Sequence, residues 1–208
     1  MAAHYLEPYE NAQEQFGTDF AVTLWAGPET QHRRFAVIAD MVDLTDRTIV
    51  DAGCGRGDLA AWMHDAGIDF KHYLGIDALD DVITFARERE LVGTDFQVAD
   101  LLADPDILAG AGADVIIFSG SLNTMKPDEV QTLLDAAWRA TGQTLVFNFL
   151  SDLCTDRAPK DTGPARRFDT VQWLKWAADR TPAIRYRQDY LDHGHDATIA
   201  MHRLPEHD

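Results

Sequence analysis

The sequence is poor in cysteine and in long apolar runs. Only two cysteines occur in 208 residues, and their spacing indicates neither a disulfide framework nor a zinc site, so we expect a reducing, cytoplasmic setting and no bound metal. No run approaches the ~20 apolar residues that a membrane helix requires. The polar, acidic stretch from Met1 to Glu14 does not resemble a signal peptide. These features predict a soluble protein without a membrane partner.

Positive charge is also scarce. Lys and Arg number 18 against 35 Asp and Glu, which gives a formal net charge of −17. Such a surface repels a polyanion, so we expect no nucleic-acid partner. A salty habitat would produce the same acidic composition, and composition alone does not separate the two origins. The length and a hydrophobic content of 46% fit one domain over residues 1–208.

Glycine is concentrated in the stretch 49–59, which reads IVDAGCGRGDL. Its apolar, β-branched start is typical of a buried strand, and the alternating glycines allow a tight turn against which a ligand can press. A dinucleotide-binding turn has a third glycine where this chain has Asp58, because the pyrophosphate lies on the helix N-terminus. The carboxylates of Asp58 and Asp51 therefore favour a cationic ligand over a phosphate.

The rest of the chain alternates between helical and strand patterns. The predicted strands follow the glycine stretch at 72–77, 95–99, 114–118 and 144–150, and the predicted helices lie at about 29–43, 79–90, 127–141 and 169–179. Segments 183–190 and 197–203 flank a turn signal and predict an antiparallel hairpin. This order predicts an α/β fold with a mostly parallel seven-stranded sheet, helices on both faces and an N-terminal helical lead-in over about 1–43.

Two of these strands also end in a carboxylate. Asp77 closes the strand at 72–77, about 20 residues beyond the glycines, where α/β nucleotide binders hydrogen-bond a ribose. The alternative role for Asp77 is to cap the next helix, for which Asp80 is a second candidate. Asp100 follows the strand at 95–99, and an ordinary Asx turn is the alternative to a binding role there.

The motif Asp51-Ala52-Gly53-Cys54-Gly55-Arg56-Gly57, an acid followed by three alternating glycines, resembles the first motif of the class I S-adenosylmethionine-dependent methyltransferases. The segment from Phe16-Gly17 to Trp25, with Gln31 and Arg34-Phe35, is similar to the lead-in of small bacterial members of that class. The resemblance implies a Rossmann-like three-layer sandwich and the transfer of a methyl group from S-adenosylmethionine to a small molecule, with S-adenosylhomocysteine as product. It also implies that Gln31 and Arg34 reach the carboxylate of the cofactor. The alternative is that both lie on an exposed helix face and that Trp25 fills part of the hydrophobic core.

The resemblance further implies a cofactor site at the carboxyl edge of the sheet. Asp100 and the backbone of Leu101 match the positions that bind adenine in the family. The backbone carbonyls of Phe118 or Ser119 match positions that contact the cofactor. The implied cofactor-binding set is Gln31, Arg34, Asp51, Gly53, Cys54, Gly55, Asp77, Ala78, Asp100, Leu101, Phe118 and Ser119. The Asn/Asp-Pro-Pro-aromatic tetrapeptide of many amide and adenine amino methyltransferases is absent after Phe118, which argues against those substrates.

The acceptor site is predicted from what surrounds these motifs. Four cations between Arg157 and Arg167 stand out in so acidic a chain, and they indicate an anionic small-molecule acceptor, with a solvated loop as the alternative. The predicted acceptor contacts are Trp25, Asn123, Arg166 and Arg167. His193 and His195 lie at the hairpin turn and are expected to face solvent. No catalytic residue is assigned, because methyl transfer depends on alignment in a water-poor pocket more than on an acid or base.

Two other functions remain compatible with the sequence. An NAD-dependent oxidoreductase would need to accommodate a phosphate near Asp58. A non-catalytic module that binds S-adenosylmethionine or S-adenosylhomocysteine would keep Asp51, Asp77 and Asp100 but lack an acceptor pocket.

Overall fold

The computed structural model describes residues 4–205, in which helices and strands alternate along the chain. The helices are α1 (Glu7–Phe16), α2 (Pro28–Met41), α3 (Asp58–Asp65), α4 (Asp80–Glu88), α5 (Ile107–Gly110), α6 (Pro127–Ala140) and α7 (Thr170–Ala178), and short 3-10 turns span Phe20–Thr23 and Asp192–Gly194. The strands are β1 (Thr48–Ala52), β2 (His72–Asp77), β3 (Thr94–Val98), β4 (Val115–Phe118), β5 (Thr144–Ser151), β6 (Arg167–Phe168), β7 (Ile184–Arg187) and β8 (Asp196–His202).

The strands form one sheet in the order β3-β2-β1-β4-β5-β8-β7. Strands β1 to β5 are parallel, and β8 is antiparallel to both β5 and β7. This arrangement confirms the predicted Rossmann-like fold with a C-terminal antiparallel hairpin. The two-residue strand β6 pairs with the end of β5 and lies outside the seven-strand path. It is too short for an apolar pattern to predict.

The sheet is buried on both faces because side chains of consecutive strand residues point to opposite layers. On one face Val50 packs in a cluster with Ile116 and residues of α6 and α7. On the other face Ile49 packs with Ile117 and residues of α2 and α3. The apolar stretches of the central strands are therefore continuous rather than alternating, as the sequence predicts.

Helices α2, α4, α6 and α7 begin and end within about two residues of the predicted positions, whereas the four-residue helix α5 was not predicted. Helix α6 starts with Pro127 at a first-turn position, where the missing N–H costs nothing. The carboxylate of Glu129 accepts the backbone N–H of Lys126 at 2.7 Å and fixes this helix start. Among the helices of residues 4–205, none combines the length and hydropathy that a membrane span requires.

Parallel pairing places the carboxyl ends of β1, β2 and β4 at one edge of the sheet. Strand β1 ends at Ala52, directly before the glycine turn, and β2 ends at Asp77. Helices α1 and α2, which form the lead-in, precede β1 in the chain. The fold thus brings the glycine turn and the carboxylate of Asp77 together, although 20-odd residues separate them in sequence.

Candidate functional site

The glycine turn between β1 and α3 lies directly against β2. The backbone N–H groups of Gly53 and Cys54 both donate to the carbonyl of Ile76, at 2.8 and 3.1 Å. Gly53 has a φ of 82°, and a Cβ at this position would overlap the side chain of Ser121. Gly57, with a φ of 69°, forms the N-cap of α3. Only glycine meets both the conformational and the steric requirement at Gly53.

A pocket opens beside this turn at the carboxyl edge of the sheet. It encloses about 960 Å³, a volume that includes the open space at its mouth. The predicted site residues that line it are Trp25, Gln31, Asp51, Gly53, Cys54, Gly55, Asp77, Ala78, Leu101, Phe118 and Ser119. The structure thus gathers most of the predicted cofactor-binding set around one space.

Asp77 connects the glycine turn to the start of α4. Its Oδ2 accepts the backbone N–H of Gly55 at 2.8 Å, and its Oδ1 accepts that of Leu79 at 3.0 Å. Burial raises the pKa of Asp77, and these backbone hydrogen bonds oppose the shift. Because each carboxylate oxygen can accept more than one hydrogen bond, Asp77 can hold the turn and still accept from a ligand. Asp77 is not the cap of α4, because the N-cap residue is Leu79 and this helix start has no side-chain cap; the binding role stays open to it.

Asp51 is a buried carboxylate with one oxygen unused. The side chain is 2% exposed; its Oδ2 accepts the hydroxyl of Tyr73, and its Oδ1 has no partner among the described residues. Burial raises the pKa of Asp51 to about 7, and the charges of Asp77 and Asp58 add to the shift while the Tyr73 hydrogen bond opposes it. An unpaired carboxylate oxygen in such a place favours a cationic ligand.

Asp58 is the third carboxylate of the pocket. One of its oxygens pairs with the Arg89 guanidinium at 2.7 Å, and Oδ2 is buried without a partner in the described chain. No Lys or Arg appears among the residues that line the pocket within residues 4–205. The absence of a cation from this lining agrees with the expectation that the turn does not serve a pyrophosphate.

The lead-in before β1 also lines the pocket. Tyr5 and Tyr9 of the α1 region line it together with Val22, Thr23 and Trp25. Sequence reasoning assigns a site role to Trp25 but not to the two tyrosines. Tyr5 lies in the turn before α1 and Tyr9 in the first turn of that helix, so no helical spacing indicates the pair.

Two predicted cofactor residues, Arg34 and Asp100, do not line the pocket. Arg34 is buried and forms an ion pair with Asp196, and its guanidinium lies 4.2 Å from the ring centre of Trp25. Arg34 thus supports Trp25 instead of reaching into the site. Asp100 accepts the hydroxyl of Tyr5 and two backbone N–H groups on its Oδ1. Asp100 therefore connects the lead-in to the loop after β3. Its two backbone contacts agree with the Asx-turn alternative.

The predicted acceptor residues other than Trp25 also lie outside the lining. Asn123 accepts the backbone N–H of Leu150 at 3.0 Å and organises the loop after β4. The guanidinium of Arg167 donates to three carbonyls and to Nδ1 of His195, and the side chain of Arg166 is exposed. Arg167 thus serves the backbone carbonyls of Ser151, Pro159 and His195, which need donors.

The two hairpin histidines have different environments. His193 is exposed, as expected, but His195 is partly buried, so the expectation of a solvent-facing side chain is wrong for this residue. Burial, followed by the charge of Arg167, lowers the pKa of His195 to about 4. His195 therefore stays neutral and accepts the Arg167 hydrogen bond. In the described part of the chain, no group of three or more His, Cys, Asp or Glu side chains is arranged to hold a metal ion.

Gly120→Ala is expected to destabilise the pocket wall. Gly120 has a φ of 78°, and a Cβ there would overlap the indole of Trp25. Backbone strain and overpacking together cost about 1–3 kcal/mol of unfolding free energy. Denaturant unfolding measures this loss, and Gly110→Ala, at a helical position with open space around it, is the matched control. Equal unfolding free energies of the two variants would show that the Trp25 side chain moves aside without loss of stability.

Comparisons with known proteins agree with this architecture. Residues 49–143 match a family model described as a methyltransferase domain. No curated protein matches the chain by sequence.

Three solved structures share the fold at low sequence identity. A magnesium protoporphyrin IX methyltransferase from Synechocystis PCC 6803 is 18% identical, with a TM-score of 0.68 over 98% of this chain and 100% of that one. A SAM-dependent methyltransferase from Archaeoglobus fulgidus is 14% identical, with a TM-score of 0.66 over 94% and 99%. One from Mesorhizobium loti is 15% identical, with a TM-score of 0.62 over 82% and 98%. Residues 49–143 are thus similar to a methyltransferase domain, and the fold of the whole chain is shared with these S-adenosylmethionine-dependent methyltransferases.

Proposed function

We propose that the chain binds S-adenosylmethionine in the pocket at the carboxyl edge of the sheet and transfers its methyl group to a small-molecule acceptor. The observation that carries this proposal is the pairing of a glycine turn with buried carboxylates and no lining cation. S-adenosylmethionine has an adenosine, an ammonium and a sulfonium but no phosphate, so its charges suit this lining. The Synechocystis protein of the same fold is described with S-adenosylmethionine bound, which supports the assignment.

The adenosine half would lie at the ends of β2 and β3. Asp77 would accept the ribose hydroxyls, since its oxygens retain acceptor capacity beyond the two backbone N–H groups they already hold. Ala78 and Leu101, which line the same space, would contact the adenine. Asp100 would reach the adenine amine only through Oδ2, because its Oδ1 already accepts three donors.

The amino-acid half would lie beside the glycine turn. The free Oδ1 of Asp51 would accept the ammonium, directly or through water. Gln31, buried in α2 and lining the pocket, would donate its amide to the carboxylate. Arg34 is engaged with Asp196, so the carboxylate would be held by neutral donors. The carbonyls of Phe118 and Ser119 would complete this end of the site.

The chain's part in the reaction is to align the reactants and exclude water. The bound cofactor supplies a methyl group on a sulfonium: the acceptor's lone pair forms the new bond, and the electron pair of the breaking C–S bond stays on sulfur. Trp25, Tyr5 and Tyr9 close the pocket with apolar ring surface, which keeps water from the line of attack. No general base is required of the protein when the acceptor releases its proton to water after the transfer.

Calorimetry is expected to show binding of S-adenosylmethionine and S-adenosylhomocysteine, with NAD at least about 100-fold weaker, a difference of roughly 2.8 kcal/mol. The reason is local: a pyrophosphate beside the glycine turn would meet the carboxylates of Asp51 and Asp58 without a lining cation. Tight NAD binding with no heat from either adenosyl compound would contradict the proposed function.

A further inference from the structure

Strand β5 carries one polar side chain in the middle of its apolar run. Asn148 stands between Phe147 and Phe149 and is 1% exposed. Its Oδ1 accepts the backbone N–H of Gly120 at 2.7 Å, while its Nδ2 is buried and has no hydrogen-bond partner in the described part of the chain. An apolar side chain would avoid the cost of this unpaired amide. Stability alone therefore does not explain an asparagine at this position.

The contact with Asn148 sets the direction of the peptide group between Ser119 and Gly120. This peptide group is trans, so the C=O of Ser119 and the N–H of Gly120 point in opposite directions. The N–H is turned toward Asn148 on β5. Because β4 lies between β1 and β5 in the sheet, the C=O of Ser119 is turned toward the side of β1. The next carbonyl, that of Gly120, accepts from Nδ2 of Asn123 at 3.3 Å, which fixes the segment on its other side.

The glycine turn lies on the side toward which the Ser119 carbonyl is turned. The hydroxyl of Ser121 donates to the carbonyl of Ala52, the last residue of β1, at 2.7 Å. A Cβ at Gly53 would overlap the side chain of Ser121. The segment 119–121 thus connects β5 with the glycine turn, and its three residues line the pocket. Asn148 is not in that lining, so an effect of Asn148 on a ligand must pass through the segment.

We propose that Asn148 is a positioning residue for methyl transfer, which turns the carbonyl of Ser119 toward the sulfonium of the bound cofactor; this inference rests on the proposed function. A carbonyl oxygen beside a sulfonium attracts its positive charge and accepts weak C–H···O contacts from the methyl group. These contacts hold the methyl group in one direction for the attack of the acceptor. S-adenosylhomocysteine has neither the charge nor the methyl group and does not make them.

Asn148→Leu tests this role by calorimetry with three ligands. The substitution keeps a side chain of similar size but leaves the N–H of Gly120 without its partner. We expect S-adenosylmethionine to bind about two- to fivefold more weakly, because weak contacts are lost. Sinefungin carries an ammonium group where the cofactor has its methylated sulfur, so it should bind at least about tenfold more weakly. The affinity for S-adenosylhomocysteine should stay as in the parent, which also reports that the variant is folded.

Thr141→Val is the matched control. Thr141 is 3% exposed, and its hydroxyl donates to the carbonyls of Asp114 and Thr144 at the opposite edge of β4 and β5. The control therefore removes a buried contact between a side chain and the backbone at a position outside the pocket lining. All three affinities of this variant should equal those of the parent.

The three ligands separate a positioning role from a structural one. If Asn148→Leu weakens all three equally, or weakens none, Asn148 only stabilises the fold and the proposal is overturned. Asn148→Ser, whose shorter side chain withdraws the same hydrogen-bond acceptor from Gly120, decides the matter in the same way if the leucine variant does not fold. A parent protein that binds none of the three ligands would instead overturn the proposed function.

Discussion

Replacing Asp77 with alanine is expected to weaken S-adenosylhomocysteine binding about ten- to hundredfold, the loss of roughly 1.5–3 kcal/mol of hydrogen bonding to a charged group. The same change should lower the unfolding free energy of the empty protein by about 1–3 kcal/mol. The second effect arises because Asp77 accepts the backbone N–H groups of Gly55 and Leu79, which lose their partners. Calorimetry and denaturant unfolding measure the two effects separately.

Asp80→Ala is the control for the helix start. Asp80 is the first residue of α4 and is exposed, and it was the alternative cap predicted from the sequence. This variant should leave the affinity unchanged and lower stability by no more than about 1 kcal/mol. If Asp77→Ala loses stability but binds S-adenosylhomocysteine as the parent does, Asp77 is structural and the ribose role is wrong.

The sequence predicts the glycine turn and the position of Asp77 beside it because the determinants of both are local. A buried strand followed at once by glycines specifies the turn at 53–57, and the parallel order of β1 and β2 then places Asp77 beside Gly55. Each step depends on residues within one strand-turn-helix unit. The glycine conformations observed at Gly53 and Gly57 are those that the motif requires.

The predicted residues that do not line the pocket, on the cofactor side as well as the acceptor side, are held by contacts between distant parts of the chain. Arg34 pairs with Asp196, 162 residues later, and the hydroxyl of Tyr5 bonds to Asp100 across 95 residues. No local pattern indicates either pair, so an arginine predicted to bind a carboxylate ligand is instead engaged by the protein's own carboxylate. Arg167 similarly finds its partners at the end of β5 and at His195. The cations between Arg157 and Arg167 are close together in sequence, but the fold does not place them in the pocket lining.

S-adenosylhomocysteine affinity is expected to rise about tenfold between pH 6 and pH 8, because the ligand ammonium requires Asp51 in its ionised form. Burial raises the pKa of Asp51 to about 7 in the empty pocket, so ionisation, and with it binding, increases through this range. The surrounding titratable groups are Asp58, Asp77 and Tyr73, whose hydroxyl donates to Oδ2. Calorimetry at several pH values measures the dependence, and proton release on binding near pH 7 gives a second readout.

Asp51→Asn is expected to abolish this pH dependence and weaken binding at pH 8 while stabilising the empty protein. Because the pKa of Asp51 is raised, the folded protein keeps a proton at pH values where the unfolded chain has lost it. The contribution of Asp51 to the unfolding free energy is therefore fully present below about pH 4, declines as the pH rises, and is lost above about pH 7. The rise of the Asp51 pKa from its ordinary 3.8 to about 7 corresponds to roughly 4 kcal/mol of unfolding free energy.

Asparagine copies the neutral form and can still accept the Tyr73 hydroxyl, so the variant avoids that loss. Its gain in unfolding free energy should therefore be larger at pH 8 than at pH 5, and denaturant titrations at the two values measure it. Asp95→Asn, which changes the same charge at an exposed position, should show neither effect. A variant that binds S-adenosylhomocysteine with an unchanged pH profile would remove Asp51 from the ammonium site. If Asp51→Asn loses binding but gains no stability, Asp51 still contacts the ammonium. Burial of the Asp51 charge would then not be the cause of its raised pKa, because the unpaired oxygen would already be hydrated in the empty protein.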